Sequence, residues 1–454
     1  MMLLLLQIIV VGCFIVVIIA LFRAQTDFLF YSMVGMLVAA TATFLLSPDP
    51  ISSEEVFLAV DWEVIFFLIS LFTIVAILEE QLIFQEIARK ITTKFNTNTR
   101  MFFWVICLIS TLSAAFIEDI SVAVIFIPII INTSKKLKIN PAPILLGMTI
   151  CINLASTLTP FGSAENIIIA NHFSLSSPWF FMNLGLYFII GTLSTLFLLD
   201  KFVLKKDLGK IWIPHCEEND EPQEIKHYED HELVILEEPI DTKIFNRNII
   251  GLGIFFVLLI FIPNILFVGL LGMVLFVFIN PRLNATGKRK PDISFYLTKV
   301  DFKLVFFFIS LFILVFSFEK AGIIDLLEIF VLAITPSNLF LLCIMILIIT
   351  SVLSGLLDNV PVTVLFIPII QVLTEPPVGF SSIPILIAFI LGINLGGNIL
   401  PQGSAADMMT LELSKKYCAD DLNYKRLLKV GGLFAIYHII LGIGYLAIVI
   451  FLFF

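Results

Sequence analysis

The sequence predicts an all-α polytopic membrane protein built from two inverted repeats, each of five transmembrane helices plus one re-entrant hairpin, with broken helices at the midplane. Three observations predict it. Of 454 residues, 59% are hydrophobic and only 14% charged, with a mean hydropathy of +1.06, too little charge to solvate a globule of this length. Apolar runs long enough for a ~30 Å hydrocarbon core recur from Met1–Phe22 to Leu433–Phe454. They are continuous rather than alternating, which selects helices over a barrel. Third, the chain repeats itself.

Val60–Phe72 reads VDWEVIFFLISLF and Val300–Phe312 reads VDFKLVFFFISLF, an offset of 240. Glu79 falls on Glu319, and Val122–Ile130 on Val362–Ile370, at the same offset. Pro143, Asn153, Pro160, Gly162 and Ser163 match Pro384, Asn394, Pro401, Gly403 and Ser404 at 241. A register held this long divides the chain into a first repeat (1–205), an acidic linker (206–246) and a second repeat (247–454).

The first half predicts spans over 3–22, 27–46, 63–80, 142–171 and 180–200. The leading run lacks a basic n-region and an obvious cleavage site, so it reads as a retained span rather than a signal peptide. The apolar stretch 101–134 is interrupted at Glu118-Asp119. Its two arms of ~15 residues are short for spanning, which predicts a re-entrant hairpin. The second half predicts 247–263, 264–280, 302–320, a hairpin 336–373, a broken span 382–411, and 430–453. Five spans per half turn the second copy upside down. The placement of Lys and Arg agrees: Arg23, Arg89–Arg100, Lys135–Lys138, the linker, Arg282–Lys303 and Lys415–Lys429 fall on one side, and Lys320 on the other. The basic side reads as cytoplasmic, with both termini outside. The six Cys show no paired spacing, so no disulfide framework is expected. The linker's His215-Cys216 and His227/His231 read as parts of a solvated connection.

Polar residues concentrate at four interruptions. The hairpin tips are AAFIEDIS (Ala114–Ser121) and SGLLDNVP (Ser354–Pro361). The broken spans are NLASTLTPFGSAEN (Asn153–Asn166) and NLGGNILPQGSAAD (Asn394–Asp407). Pro and Gly two residues apart stop each helical ladder. Ser163 and Ser404 then fit as N-caps, and Asp407 as the acidic partner of a capping box. An ionised carboxylate at this depth costs roughly 2.5–3.5 kcal/mol. Glu118, Asp119, Glu165, Asp358 and Asp407 have no Lys or Arg near them in sequence. Protonation or a bound cation would answer that cost, which points to coupling with H⁺ and/or Na⁺. Capping accounts equally well for Glu165 and Asp407, less well for Asp119 and Asp358. Asn153, Thr157, Thr159, Asn166, Asn359, Asn394 and Asn398 offer neutral oxygens for an ion, or hydrogen-bond glue between helices. Gly162 and Gly403 complete the candidate set.

These motifs resemble the ArsB/NhaD permease family of the ion transporter superfamily. Leu357-Asp358-Asn359-Val360 matches the family core at the second tip, and Thr159, Pro160, Gly162 and Asn166 match its first broken span. Glu118-Asp119 and Asp407 depart from it, add acid, and count against an anionic substrate. The resemblance implies a dimerising scaffold, a transport domain of hairpins and broken helices, and elevator-type alternating access. The expected function is a secondary active ion transporter exchanging Na⁺ for H⁺. Proton-driven efflux of arsenite or silicate, and less so citrate or dicarboxylate transport, are alternatives, and a passive channel is the alternative of another class. An enzyme is not expected: the chain has no H-E-x-x-H and no G-x-S-x-G. The expected partners are the bilayer of the plasma membrane, a small inorganic ion and a second copy of the chain, with no nucleic acid and no cofactor beyond the coupling ion.

Overall fold

The computed structural model describes residues 2–22, 27–48, 50–95, 98–117, 119–208, 212, 239–262, 264–283, 289–326, 329, 338–357, 359–376, 378–419 and 421–453. Glu118, Asp358 and most of the linker, with its His and Cys residues, lie outside them. The described residues are almost wholly helical, and nine helices are long and apolar enough to cross a membrane.

The chain opens with α1 (Met2–Phe22) and α2 (Phe28–Leu46), then a short capped helix α3 (Ser53–Leu58). A capping box between Ser52 and Glu55 fixes the start of α3. Next come α4 (Trp62–Glu80), α5 (Ile83–Phe95), the hairpin arms α6 (Thr99–Ala114) and α7 (Asp119–Leu137), the half-helices α8 (Ala142–Ala155) and α9 (Ala164–His172), and α10 (Ser177–Leu199). A π-helical turn, Asp200–Leu204, carries α10 on to Asp207. Beyond the linker lie α11 (Thr242–Phe261), α12 (Ile265–Ile279), a two-stranded ribbon β1 (Arg282–Leu283) and β2 (Arg289–Lys290), α13 (Ile293–Leu297) and α14 (Phe302–Lys320). The arms α15 (Leu339–Leu357) and α16 (Asn359–Thr374) follow, then α17 (Ser382–Gly396), a 3₁₀ turn Pro401–Gly403, α18 (Ala405–Lys416) and α19 (Tyr424–Phe453).

Burial explains the layering. Every residue of α8 is buried, as is α17 from Pro384 to Gly396. The broken helices therefore form the centre. Gly147 and Gly392 let the neighbouring arms approach closely: a Cβ at Gly147 would stand 2.8 Å from the Phe103 ring, and one at Gly392 would overlap the Thr350 hydroxyl. Helices α1 and α2 lie at the periphery, with Leu4, Ile8, Phe30 and Leu37 exposed. Exposed apolar residues there face a solvent as apolar as they are.

Three expectations need correction. The arms α7 and α15 are each 19 residues long, not ~15. Pro128 sits inside α7 without ending it, because neighbouring helices and side chains can satisfy a freed carbonyl. An unforeseen helix, α5, lies between α4 and the first hairpin; its charges had been read only as a basic cluster. Cys418 is disulfide-bonded, whereas Cys13, Cys107, Cys151 and Cys343 are free.

Ion pairs fasten helix ends. Arg100 Nε reaches Asp200 at 2.6 Å, Arg426 Nη2 reaches Asp207 at 2.6 Å and Arg282 Nε reaches Glu80 at 2.8 Å. Lys320, assigned by sequence to the opposite side, pairs with Glu55 at 2.9 Å.

Candidate ion-translocation site

The two breaks meet each other and the hairpin tips. At the first break, Thr159 Oγ1 donates to the Ala115 carbonyl in the first tip and accepts from the N–H groups of Phe161 and Gly162 at 3.1 Å. Asn166 Nδ2 donates to the freed Ser156 carbonyl and lies 3.4 Å from that of Thr159. These bonds satisfy backbone that the helix no longer satisfies. A Cβ at Gly162 would stand 2.9 Å from the Ala114 carbonyl oxygen. At the second break, a Cβ at Gly403 would stand 2.8 Å from Gly355 in the second tip. The two glycines are thus the points where each tip presses on a break.

Across the centre the two halves exchange hydrogen bonds. Ser404 Oγ donates to Asn153 Oδ1 at 2.8 Å, and Ser163 Oγ to Asn394 Oδ1 at 3.5 Å. These contacts are reciprocal: Ser163 and Ser404, like Asn153 and Asn394, stand 241 residues apart. Asn153 Nδ2 donates to Asn398 Oδ1 at 2.9 Å, and Asn394 Nδ2 to Asn166 Oδ1 at 2.9 Å. All six side chains are buried.

Ser163 and Ser404 hold the N-cap positions of α9 and α18, but neither side chain caps its helix. Their hydroxyls are committed to the opposite half. The capping-box reading of Asp407 is therefore wrong. Asp407, 1% exposed, accepts instead from Thr149 Oγ1 of α8 at 2.5 Å. Thr410 Oγ1 lies 3.2 Å from the same hydroxyl. Asp407 makes no ion pair among the described residues. Helix α7, beginning at Asp119, packs on α18, and the carboxylates of Asp119 and Asp407 interact electrostatically. Asp119 also accepts from its neighbour's N–H, Ile120, at 2.9 Å.

The other carboxylate, Glu165 on α9, is 4% exposed and accepts from Asn359 Nδ2 at 2.9 Å. Asn359 in turn accepts from Ser354. The second tip thus touches the first broken helix through Glu165, as α7 faces the second through Asp407. Thr157 does not join either group: its hydroxyl turns back to the Leu154 carbonyl at 2.8 Å. Sequence reasoning missed Thr149, Ser156, Ser354 and Thr410. A Thr inside a span reads as bonding its own i−4 carbonyl, so only the spatial pairing with Asp407 marks Thr149.

Among the described residues no three His, Cys, Asp or Glu side chains cluster to hold a metal. The donors are amide, hydroxyl and carboxylate oxygens, a set suited to a proton or a hard monovalent cation rather than a transition metal.

Comparison with known proteins agrees with this architecture. A family model described as citrate transporter, CitMHS, matches residues 14–392 and 256–454. A 46 kDa membrane protein of Mycobacterium leprae is 25% identical over 390 residues, covering 85% of each chain. An uncharacterized transporter of Methanocaldococcus jannaschii is 27% identical over 420 residues, covering 92% of this chain and 96% of the relative. The solved structure of the YdaH transporter of Alcanivorax borkumensis shares the fold, with a TM-score of 0.60 at 9% identity over 93% of this chain and 97% of that one. MtrF of Neisseria gonorrhoeae gives 0.55 at 14% identity over 93% and 94%. The chain belongs to the CitMHS citrate transporter family.

Proposed function

We propose that this transporter couples the movement of its substrate to a cation, and that Na⁺/H⁺ exchange is the function its central site supports best. The observation that carries the reading is Asp407. Its carboxylate is buried, receives one hydroxyl hydrogen bond and makes no ion pair among the described residues. A buried charge so weakly answered is costly, and either a proton or a cation removes that cost. Alternation between the two is exchange. Asp119 on the facing helix adds negative potential, while Asn153, Asn398 and Thr149 offer neutral oxygens nearby. Contacts between tips and breaks favour the hairpins and broken helices moving as one body in an elevator-type cycle, within a homodimer in the plasma membrane, the basic face cytoplasmic and both termini outside.

The test is ²²Na⁺ uptake driven by an outward proton gradient in proteoliposomes. Asp407→Asn, which keeps the shape and removes the charge, should abolish gradient-driven uptake; full activity in that variant refutes the mechanism. Asp358→Asn tests the second tip in the same way. Gradient-independent, unsaturable flux would indicate a channel.

One observation favours a second reading, cation-coupled citrate or dicarboxylate transport. The N-termini of α9 and α18 have no side-chain cap, so first-turn N–H groups are available to a carboxylate, and the family's name points the same way. Against it, each half-helix carries an acid in its first turn, Glu165 or Asp407. Those charges already offset the helix dipole. Labelled citrate uptake that depends on Na⁺ or pH would establish this reading. Metalloid transport has weaker support: Cys151, near the first break and buried in α8, is a single thiol that packing explains.

A further inference from the structure

A second polar site lies far from the breaks. A cavity of about 320 Å³ opens where α4 and α12 finish and α11 begins, lined by Glu80, Arg247, Asn280, Arg282 and Arg289 among others. Three guanidiniums face one carboxylate. Arg282 is spoken for: it pairs with Glu80 at 2.8 Å and lies 3.2 Å above the centre of the Phe295 ring, a stacked arrangement that fixes its plane. Arg247 Nη2 donates to Asn280 Oδ1 at 2.9 Å. Asn280 is itself buried and held by reciprocal amide bonds with Asn248 at 2.8 and 3.1 Å. Arg247 is thus positioned by a neutral partner, and it makes no ion pair among the described residues. Arg289, on β2, makes no ion pair among the described residues. Tyr296, buried, stands beside two of the lining residues, Glu80 and Arg282.

Capping of helix C-termini explains part of this. Cations suit the ends of α4 and α12, which accounts for Arg282 and Arg247. It does not account for Arg289, for the buried amide pair that orients Arg247, or for the open volume between them.

We infer that this cavity binds a phosphate-bearing anion, with Arg247 and Arg289 as its principal ligands. Guanidiniums match phosphate oxygens in pairs, and the two spare positive charges stand in a concave site. The cavity lies at helix ends, where a phospholipid headgroup would sit, and it is equally open to a soluble phosphate compound. Both sources present the same chemistry.

The experiment uses the full-length protein in phosphatidylcholine nanodiscs, with two probes. In one arm a tenth of the lipid is phosphatidylglycerol, and native mass spectrometry counts the molecules retained after delipidation. In the other, inorganic pyrophosphate is titrated onto pure phosphatidylcholine nanodiscs and the melting temperature is followed. Arg247→Gln/Arg289→Gln should weaken the bound probe by about tenfold or more, on the order of one interfacial Arg's worth of attraction for each lost charge. Loss confined to phosphatidylglycerol identifies a lipid headgroup; loss confined to pyrophosphate identifies a soluble ligand. Equal retention and equal shifts in wild type and variant overturn the proposal. Arg289→Gln alone, at an exposed position, serves where the double variant fails to fold.

Discussion

Gly403→Ala tests whether the contact between tip and break governs function. The new Cβ would stand 2.8 Å from both the Cα and the carbonyl oxygen of Gly355, and 3.1 Å from its carbonyl carbon. An ordinary carbon contact is ~3.5 Å, so the two segments must part by about 0.7 Å. Both obstructing groups are backbone, so no flexible side chain can yield. Overpacking of this kind costs about 1–3 kcal/mol, and if the strain falls on one transport state alone it shifts the equilibrium between states by about 5- to 150-fold. Gly355→Ala should act similarly, since its Cβ would meet Ile399 Cβ at 2.8 Å and the Gly396 oxygen at 2.9 Å. The controls are Gly12→Ala and Gly444→Ala, which meet nothing within 4 Å. They should be neutral, or stabilising by at most about 1 kcal/mol through helix propensity. The assays are exchange rate in proteoliposomes and melting temperature in detergent. Gly403→Ala with wild-type values in both would refute the claim that the tip is pressed onto the break.

Thr149→Val removes the hydroxyl that serves Asp407 at 2.5 Å. A hydrogen bond to a charged group contributes about 1.5–3 kcal/mol, so the apparent pH dependence of exchange should move, whereas Thr149→Ser should restore it. Outside the membrane-spanning helices, the Arg89 hydrogen bond holds the Glu86 carboxyl below its usual range. A lowered carboxylate value stabilises the fold above the unfolded pKa of about 4.3 and loses that contribution as pH falls through the folded value. The difference in melting temperature between wild type and Glu86→Gln should therefore shrink below about pH 4. Lys320→Gln breaks a half-exposed pair with Glu55 and a contact over the Phe316 ring, and should change stability by about 0–1 kcal/mol in a thermal melt.

The sequence displayed the frame through its own repetition. The offsets located both breaks, and Pro160, Gly162, Pro401 and Gly403 showed where helices must stop. What it could not display was which groups pair across the centre. Ser163 followed by Glu165, and Ser404 followed by Asp407, read locally as capping, and local spacing is all that a lone sequence offers at such a position. The fold overrides it, because Asn394 and Asn153 arrive from the other half and take the hydroxyls. Thr149 was illegible for the same reason, since nothing near it in sequence announces Asp407. Helix α5 escaped because its 13 residues alternate charge with Ile and Phe, and a search for apolar runs passes over an amphipathic segment.

The crossed pairs Ser163–Asn394 and Ser404–Asn153 tie what each half can tolerate to the other. Here each copy supplies the acceptor for its sibling's hydroxyl, so a change at Asn153 is felt first at Ser404, 251 residues downstream. A substitution at any of these four positions leaves a buried polar group in the other half without its partner. At Glu165 and Ala406 the crossing is not mirrored: Glu165 accepts from Asn359 of the second half, while an alanine stands at the matching position.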